Sequence, residues 1–146
     1  MTGNSFMIWL LRSPFHGMLS SNMMLITVIG RKTGQKYTLP VNYYRENNSL
    51  WVLTSRGRTW WRNVQGGADV SLLLRRQPVQ AFAETELETQ SVERLLCEYL
   101  KHIPQGARSM GVQMQKGTPN PDDIRRIAKD RLFVRVEPCS NAHEAG

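Results

Sequence analysis

The chain has 146 residues, 40% of them apolar, which suits one domain with a real core and leaves no room for several. Lys and Arg number 19 against 12 Asp and Glu, and the net charge of +7 favours anionic partners (phosphates, polyanionic cofactors, nucleic acid or acidic membrane) without choosing among them. The two cysteines, Cys97 and Cys139, come with no C-x-x-C and no H-E-x-x-H, so neither a disulfide framework nor a metal site is expected and a cytoplasmic setting is.

The first apolar run goes from Phe6 through Leu11 and ends at Arg12-Ser13-Pro14. It is far shorter than the roughly 20 residues of a spanning helix, and no small-residue cleavage motif marks a signal peptide. It reads as a first helix packed on the domain, with peripheral membrane contact, aided by the positive charge, as the alternative. Ser13 and Pro14 can cap and start a second short helix to Leu19, so a helical segment covers about residues 5–20.

Met23–Ile29, β-branched at its end, predicts a strand. The turn Gly30-Arg31-Lys32-Thr33-Gly34 follows, with glycines able to take positive φ at both ends. Residues 35–44 predict a second strand with Tyr37, Leu39, Val41 and Tyr43 on one face and Lys36, Thr38, Pro40, Asn42 and Tyr44 on the other. Pro40 demotes its point to a sheet edge or a bulge. A polar turn at 46–49 leads to a third strand, 50–55. Thr59 predicts the cap of a short helix over 60–65, which Gly66-Gly67 terminates. Strands are expected at 70–75 and 79–87, joined by a turn at Gln77-Pro78, with Glu84, Glu86 and Glu88 on one solvent face.

Val92, Leu95, Leu96, Tyr99, Leu100 and Ile103 form one helical stripe, giving a helix over about 90–103 stopped by Pro104. Asn120-Pro121-Asp122-Asp123 starts another, over about 121–130. The last strand is 131–137. Short strands with hairpin signals and one long late helix predict a single, mainly β domain over 1–146. It is a small barrel of about six strands from residues 23–88 and 131–137. Strands do not alternate with helices, which disfavours a Rossmann sheet.

Two constellations could carry chemistry. In the turn 30–34, backbone N–H groups can face an anion while Arg31, Lys32 and Lys36 supply charge and Thr33 a hydroxyl; on spacing alone this is a phosphate-binding hairpin or a solvated hairpin tip. In Ser55-Arg56-Gly57-Arg58-Thr59-Trp60-Trp61-Arg62-Asn63, two indoles beside arginines offer flat walls for a planar ring, or one Trp is core and the arginines stack on it. His16, His102 and His143 are scattered, and there is no G-x-S-x-G, so nucleophilic hydrolysis has no support.

The stretch LITVIGRKTGQKYTLPVNYYRENNSLWVLTSRGRTWWRNVQGGADVSLLL resembles the deazaflavin (F420)-dependent nitroreductase family, a branch of the FMN-binding split β-barrels. The resemblance implies that Arg31 and Lys32, with the Thr33-Gly34 backbone and Lys36 nearby, hold the cofactor's phosphate and acidic tail. It implies that Pro40, the Ser55-Arg56 pair (Arg where the family has Lys), Trp60 with Trp61, and Asn63 lie at the ring.

The sequence also departs from the family pattern. Tyr37 replaces a basic residue of many members, and the loop between Gly57 and Trp60 is shorter. The late tyrosines of nitro-reducing members are missing. The expected function is therefore hydride transfer from F420, with FMN as the alternative cofactor, to a small organic acceptor such as a quinone or an enone. Tyr44 and Ser55 are the candidate proton donors. A flavin carrier without turnover and a nucleic-acid-binding barrel are the other readings, the second disfavoured because the aromatics cluster at one loop. A homodimer is expected from an exposed barrel edge.

Overall fold

The computed structural model describes residues 22–139, so the expected N-terminal helices, with the apolar run 6–11, lie outside the described residues. The elements follow in chain order. Strands β1 (Met23–Ile29), β2 (Lys36–Glu46) and β3 (Ser49–Ser55) lead to a 3-10 helix, η1 (Trp60–Val64). After it come β4 (Ala68–Leu74), β5 (Gln77–Glu86), α1 (Thr89–His102) and α2 (Gln105–Met110). The short pair β6 (Met114–Gln115) and β7 (Thr118–Pro119), then α3 (Pro121–Ala128) and β8 (Arg131–Pro138), complete the fold.

Six strands close into an antiparallel barrel in the order β1-β2-β3-β8-β5-β4. The period-2 alternation of the sequence is what fills it. Met24, Ile26 and Val28 of β1, Val70, Leu72 and Leu74 of β4, and Leu132, Val134 and Val136 of β8 all point into one core. Register sets Ile26 between Leu39 of β2 and Leu72 of β4. Trp60, Trp61 and Val64 of η1 pack into the same core.

A second core lies outside the barrel. The stripe Val92, Leu95, Leu96, Tyr99 and Leu100 of α1 packs with Ile124, Ile127 and Ala128 of α3 over Tyr44 of β2 and Phe133 of β8. Leu95, Leu96 and Leu100 are fully buried, each contributing about 1.5–3 kcal/mol by leaving water. The cap of α3 forms as the sequence predicts: Asn120 Oδ1 accepts from the amides of Asp122 at 2.8 Å and Asp123 at 3.2 Å.

Several local expectations are corrected. The turn between β4 and β5 is Arg75-Arg76, not Gln77-Pro78. Both arginines have positive φ (51° and 69°), and Gln77 and Pro78 already pair with Leu74 and Leu73. Glu88 is not on a strand face but caps α1, accepting from the Ser91 amide at 2.9 Å. Thr59 makes no side-chain cap, and the five-residue helix after it is 3-10 rather than α. Helix α2 and the β6–β7 hairpin, turning at Lys116 and Gly117, had no sequence expectation.

The barrel opens locally. Residues 36–42 of β2 pair with β1, but only Tyr43–Glu46 pair with β3, while Leu50–Ser55 of β3 pair with β8. Leu39–Asn42 and Leu53–Ser55 therefore have no strand between them on that side. Pro40, which cannot donate to a ladder, sits at this gap and fits the edge expectation.

Candidate active site

The gap between β2 and β3 is a cleft with two lobes. The first, of about 680 Å³, is lined by the β1–β2 turn and by η1: Gly30, Arg31, Lys32 and Thr33 on one side, Thr59, Trp60, Arg62 and Asn63 on the other, with Tyr37, Thr38 and Leu39 of β2. The second, of about 310 Å³, is lined by Leu39–Asn42, Leu53–Ser55, Arg58, Trp60, Tyr99, Arg131 and three residues of α2. Leu39 and Trp60 border both lobes, so the two form one groove.

The turn is held in place from below. The Arg31 amide donates to Asn63 Oδ1 at 3.1 Å, and Asn63 Nδ2 donates to the Trp60 carbonyl at 3.1 Å. The Arg31 guanidinium reaches the Gly67 carbonyl at 3.4 Å. Gly34 takes φ +72°, whereas Gly30 does not have positive φ and is required for another reason. A Cβ on Gly30 would come within 2.7 Å of the Tyr37 ring and 2.9 Å of Thr33 Oγ1. Lys32 is exposed and has no hydrogen-bond or ion-pair partner among the described residues.

The indoles are fixed walls. Trp60 Nε1 donates to Thr54 Oγ1 at 3.1 Å and Trp61 Nε1 to the Ser55 carbonyl at 3.2 Å, so both buried rings have their polar atom satisfied. Both are core, where the sequence required only one. Trp60 also faces the cleft; Trp61 lines neither lobe and carries the Arg62 guanidinium 5.4 Å from its ring centroid.

Arg31, Lys32, Thr33, Pro40, Ser55, Trp60 and Asn63 thus line one groove, though they span more than thirty positions. Gly34 on the turn and Lys36 at the start of β2 lie beside it without lining it. Arg56 is placed elsewhere. Its guanidinium donates to the carbonyls of Arg131 and Leu87, each at 2.8 Å, and of Ala128 at 3.5 Å, and its amide donates to the Asp130 carbonyl at 2.9 Å. Arg56 therefore ties the end of β3 to the α3–β8 junction, and its charge does not face the cleft.

Tyr44 must also be corrected. It lies under α1, edge-on to Tyr99 and Phe133 and stacked on His102 at 5.0 Å, with its hydroxyl buried and without a partner. Burial, then the nearby carboxylates of Glu46 and Glu98, push its pKa up. Tyr44 lines neither lobe of the cleft. Ser55 does line the second lobe, where its Oγ accepts from the Gly57 amide at 3.3 Å.

The residue that sequence reasoning missed is Tyr99, assigned there only to the helical stripe. It is buried yet borders the second lobe, its hydroxyl has no partner among the described residues, and burial raises its pKa, so it stays neutral. Arg131, Ser109 and Met110 were missed too, because β8 and α2 reach the cleft only through the tertiary fold. Among the described residues, no group of three or more His, Cys, Asp or Glu could hold a metal ion. None of their helices is long and apolar enough to cross a membrane.

This fold is a split barrel of the FMN-binding type. The solved structures that resemble the chain are of that architecture. An F420-H2-dependent reductase (FDR-A) is 18% identical at a TM-score of 0.54, over 80% of this chain and 96% of that one. A putative pyridoxamine 5'-phosphate oxidase from Listeria innocua is 10% identical at a TM-score of 0.53, over 92% and 91%. The general stress FMN/FAD binding protein from Xanthomonas citri is 12% identical at 0.51, over 83% and 78%. These likenesses carry the fold alone. No protein of curated function matches the sequence at a significant level. The family profile of the F420H(2)-dependent quinone reductases matches residues 14–115, well over half of the chain, and the chain belongs to that family. It is accordingly an F420-dependent oxidoreductase.

The groove fits that cofactor. F420 is a planar deazaflavin on a phosphate-linked acidic tail. Among the described residues, Arg31, Lys32 and Arg62 in the first lobe and Arg58 and Arg131 in the second are the charged side chains that line the groove, and no Asp or Glu does. Trp60 supplies a flat, fixed wall where the lobes meet.

Proposed function

We propose that this chain binds F420 in the two-lobed groove and reduces a quinone or enone there. The observation that carries the reading is the groove itself: cations and no acids among its described lining residues, an indole wall at the junction, and a smaller recess of mixed apolar and polar walls beyond it. Arg31, Lys32 and the backbone of Thr33 and Gly34 would hold the phosphate and tail, with Lys36 adding charge at the rim. Leu39 and Trp60, where the lobes meet, would hold the ring, with Pro40 and Ser55 at its edge where the second lobe begins. Trp61 and Asn63 act by positioning, one under the Ser55 carbonyl and the other under the Arg31 amide. Arg56 is a positioning residue for the Ser55 loop rather than a cofactor contact.

When bound, F420 would supply hydride chemistry, and a quinone acceptor would need one further proton to become the quinol, which the Tyr99 hydroxyl or solvent would deliver at the second lobe. The protein's own work is placement and exclusion of water. Ser55 and the Tyr99 hydroxyl can each hold a proton at the second lobe; Tyr44 cannot.

The test is anaerobic oxidation of reduced F420 by a naphthoquinone, followed by absorbance. Turnover is expected, and Lys32→Ala is expected to weaken cofactor binding about tenfold, the effect of one charge-assisted contact. Turnover absent with every quinone and enone tried would reject the acceptor class. FMN is the second cofactor reading, since its phosphate would suit the same cations. A homodimer stays a proposal, but not on the original ground, because the unpaired stretches of β2 and β3 border the groove rather than an outer edge. Light scattering is the measurement for it.

A further inference from the structure

Two groups of cations contrast at and around the groove, and others, such as Arg75, Arg76 and Lys116, stand exposed on turns away from it. Lys101, Arg125, Arg126 and Arg135 are paired with Glu98, Asp122, Asp123 and Glu84, all outside the groove. The five groove cations have no acid partner among the described residues. In the first lobe, the cofactor's tail accounts for this. In the second lobe it does not, if the tail lies at the turn.

Arg58 and Arg131 come to the second lobe from different elements, the loop after β3 and the start of β8. Arg131 is half-buried, and its backbone carbonyl is fixed by the Arg56 guanidinium at 2.8 Å. Their guanidinium groups make no hydrogen bond or ion pair with any described residue. Away from the residues given to the cofactor ring, the walls combine apolar and aromatic side chains, Leu53, Tyr99 and Met110, with the polar Asn42, Thr54 and Ser109. A recess of about 310 Å³ with such walls and two unpaired planar cations is built for a flat ring that carries an anionic oxygen.

We propose that the second lobe is the acceptor site and selects aromatic or quinonoid acceptors bearing an ionised acid, a carboxylate or an acidic hydroxyl, through Arg58 and Arg131. This rests on the proposed function in that the first lobe is assigned to the cofactor's tail. Arg58 and Arg131 are specificity-determining residues, and a neutral quinone of the same shape would bind but leave both cations unpaired.

The experiment compares two inert ligands of one shape, naphthoate and naphthamide, titrated into the purified protein without cofactor and followed by tryptophan fluorescence and calorimetry. Naphthoate is expected to bind about tenfold more tightly at low salt, as a charge-assisted contact implies, with the difference shrinking as salt is added. Arg131→Met and Arg58→Met should each reduce the preference, Arg131→Lys should keep part of it, and Lys32→Ala should leave it intact. Because Arg58 lies on an exposed loop, its variant reports even if Arg131→Met folds poorly. Equal binding of the two ligands, or a preference abolished by Lys32→Ala and untouched at Arg58 and Arg131, would overturn the proposal. F420 titrated in parallel separates the two readings. Loss of F420 binding in wild-type protein would sink the proposed function, while a naphthoate preference that depends on Arg131 would still locate an anion-selective second lobe.

Discussion

At the scale of single residues, two tyrosines exchange the roles that their positions in sequence suggest. Tyr44 alternates onto the polar face of β2 and reads as exposed, but that face is covered by α1, which no local pattern reveals. Its buried hydroxyl without a partner is a cost of about 1–3 kcal/mol that the apolar ring contacts must outweigh. Tyr44→Phe is therefore expected to leave turnover unchanged and to keep or raise stability by up to about 1 kcal/mol, read by urea denaturation. Tyr99→Phe, which keeps the ring in the core and removes only the hydroxyl at the second lobe, is expected to lower kcat several-fold with little change in melting temperature. Equal, small effects of both changes would leave protonation to solvent.

The elements show what the sequence could and could not reveal. β1 was legible to the residue, and β2, β3 and β8 nearly so, because β-branched alternation and flanking turns act locally. The turn Gly30–Gly34 and the Trp60–Asn63 segment were legible as separate constellations. That Asn63 fastens one to the other was not, since the Arg31 amide and Asn63 are brought together only by barrel closure. The same holds for Arg131 and α2 at the groove.

Gly30 shows how tight this junction is. Gly30→Ala would displace the Tyr37 ring and the Thr33 hydroxyl, which line the first lobe and are hydrogen-bonded to each other at 3.3 Å. The expected outcome is a larger loss of cofactor affinity than of melting temperature. Asn63→Ala should weaken the cofactor as well, by loosening the turn rather than by removing a contact.

Farther from the groove, Asp123 accepts from the Gln113 amide at 2.9 Å and pairs with Arg126, so its carboxyl is held below the usual range by the amide first and the guanidinium second. A depressed carboxylate stabilises the fold above its unfolded pKa, near 3.9, and loses that contribution as pH falls through the folded value. The α2–α3 connection should loosen below about pH 4. Asp123→Asn should flatten that dependence in thermal melts taken from pH 6 to 3.

Across the whole molecule, the net charge of +7 has a destination. Composition announced affinity for anions and could not place it, because charge counts carry no geometry. The fold gathers part of it: five cations line the groove with no acid among the described lining residues, while four others are paired with acids on the outer elements and the rest are spread over the chain. Binding of an anionic cofactor should therefore weaken with ionic strength, several-fold between low salt and about 0.5 M, as screening lengths fall below the span of the groove.

The central claim is that the groove holds F420, and the most direct measurement is an equilibrium titration of the purified protein with F420, with FMN in parallel, followed by the fluorescence of Trp60 and its neighbours. Saturable quenching by F420 at micromolar concentration, reduced about tenfold in affinity by Lys32→Ala, is the result expected. Quenching by FMN alone would keep the groove and change the cofactor. No response to either would contradict the account and return the basic turn to the status of a solvated hairpin.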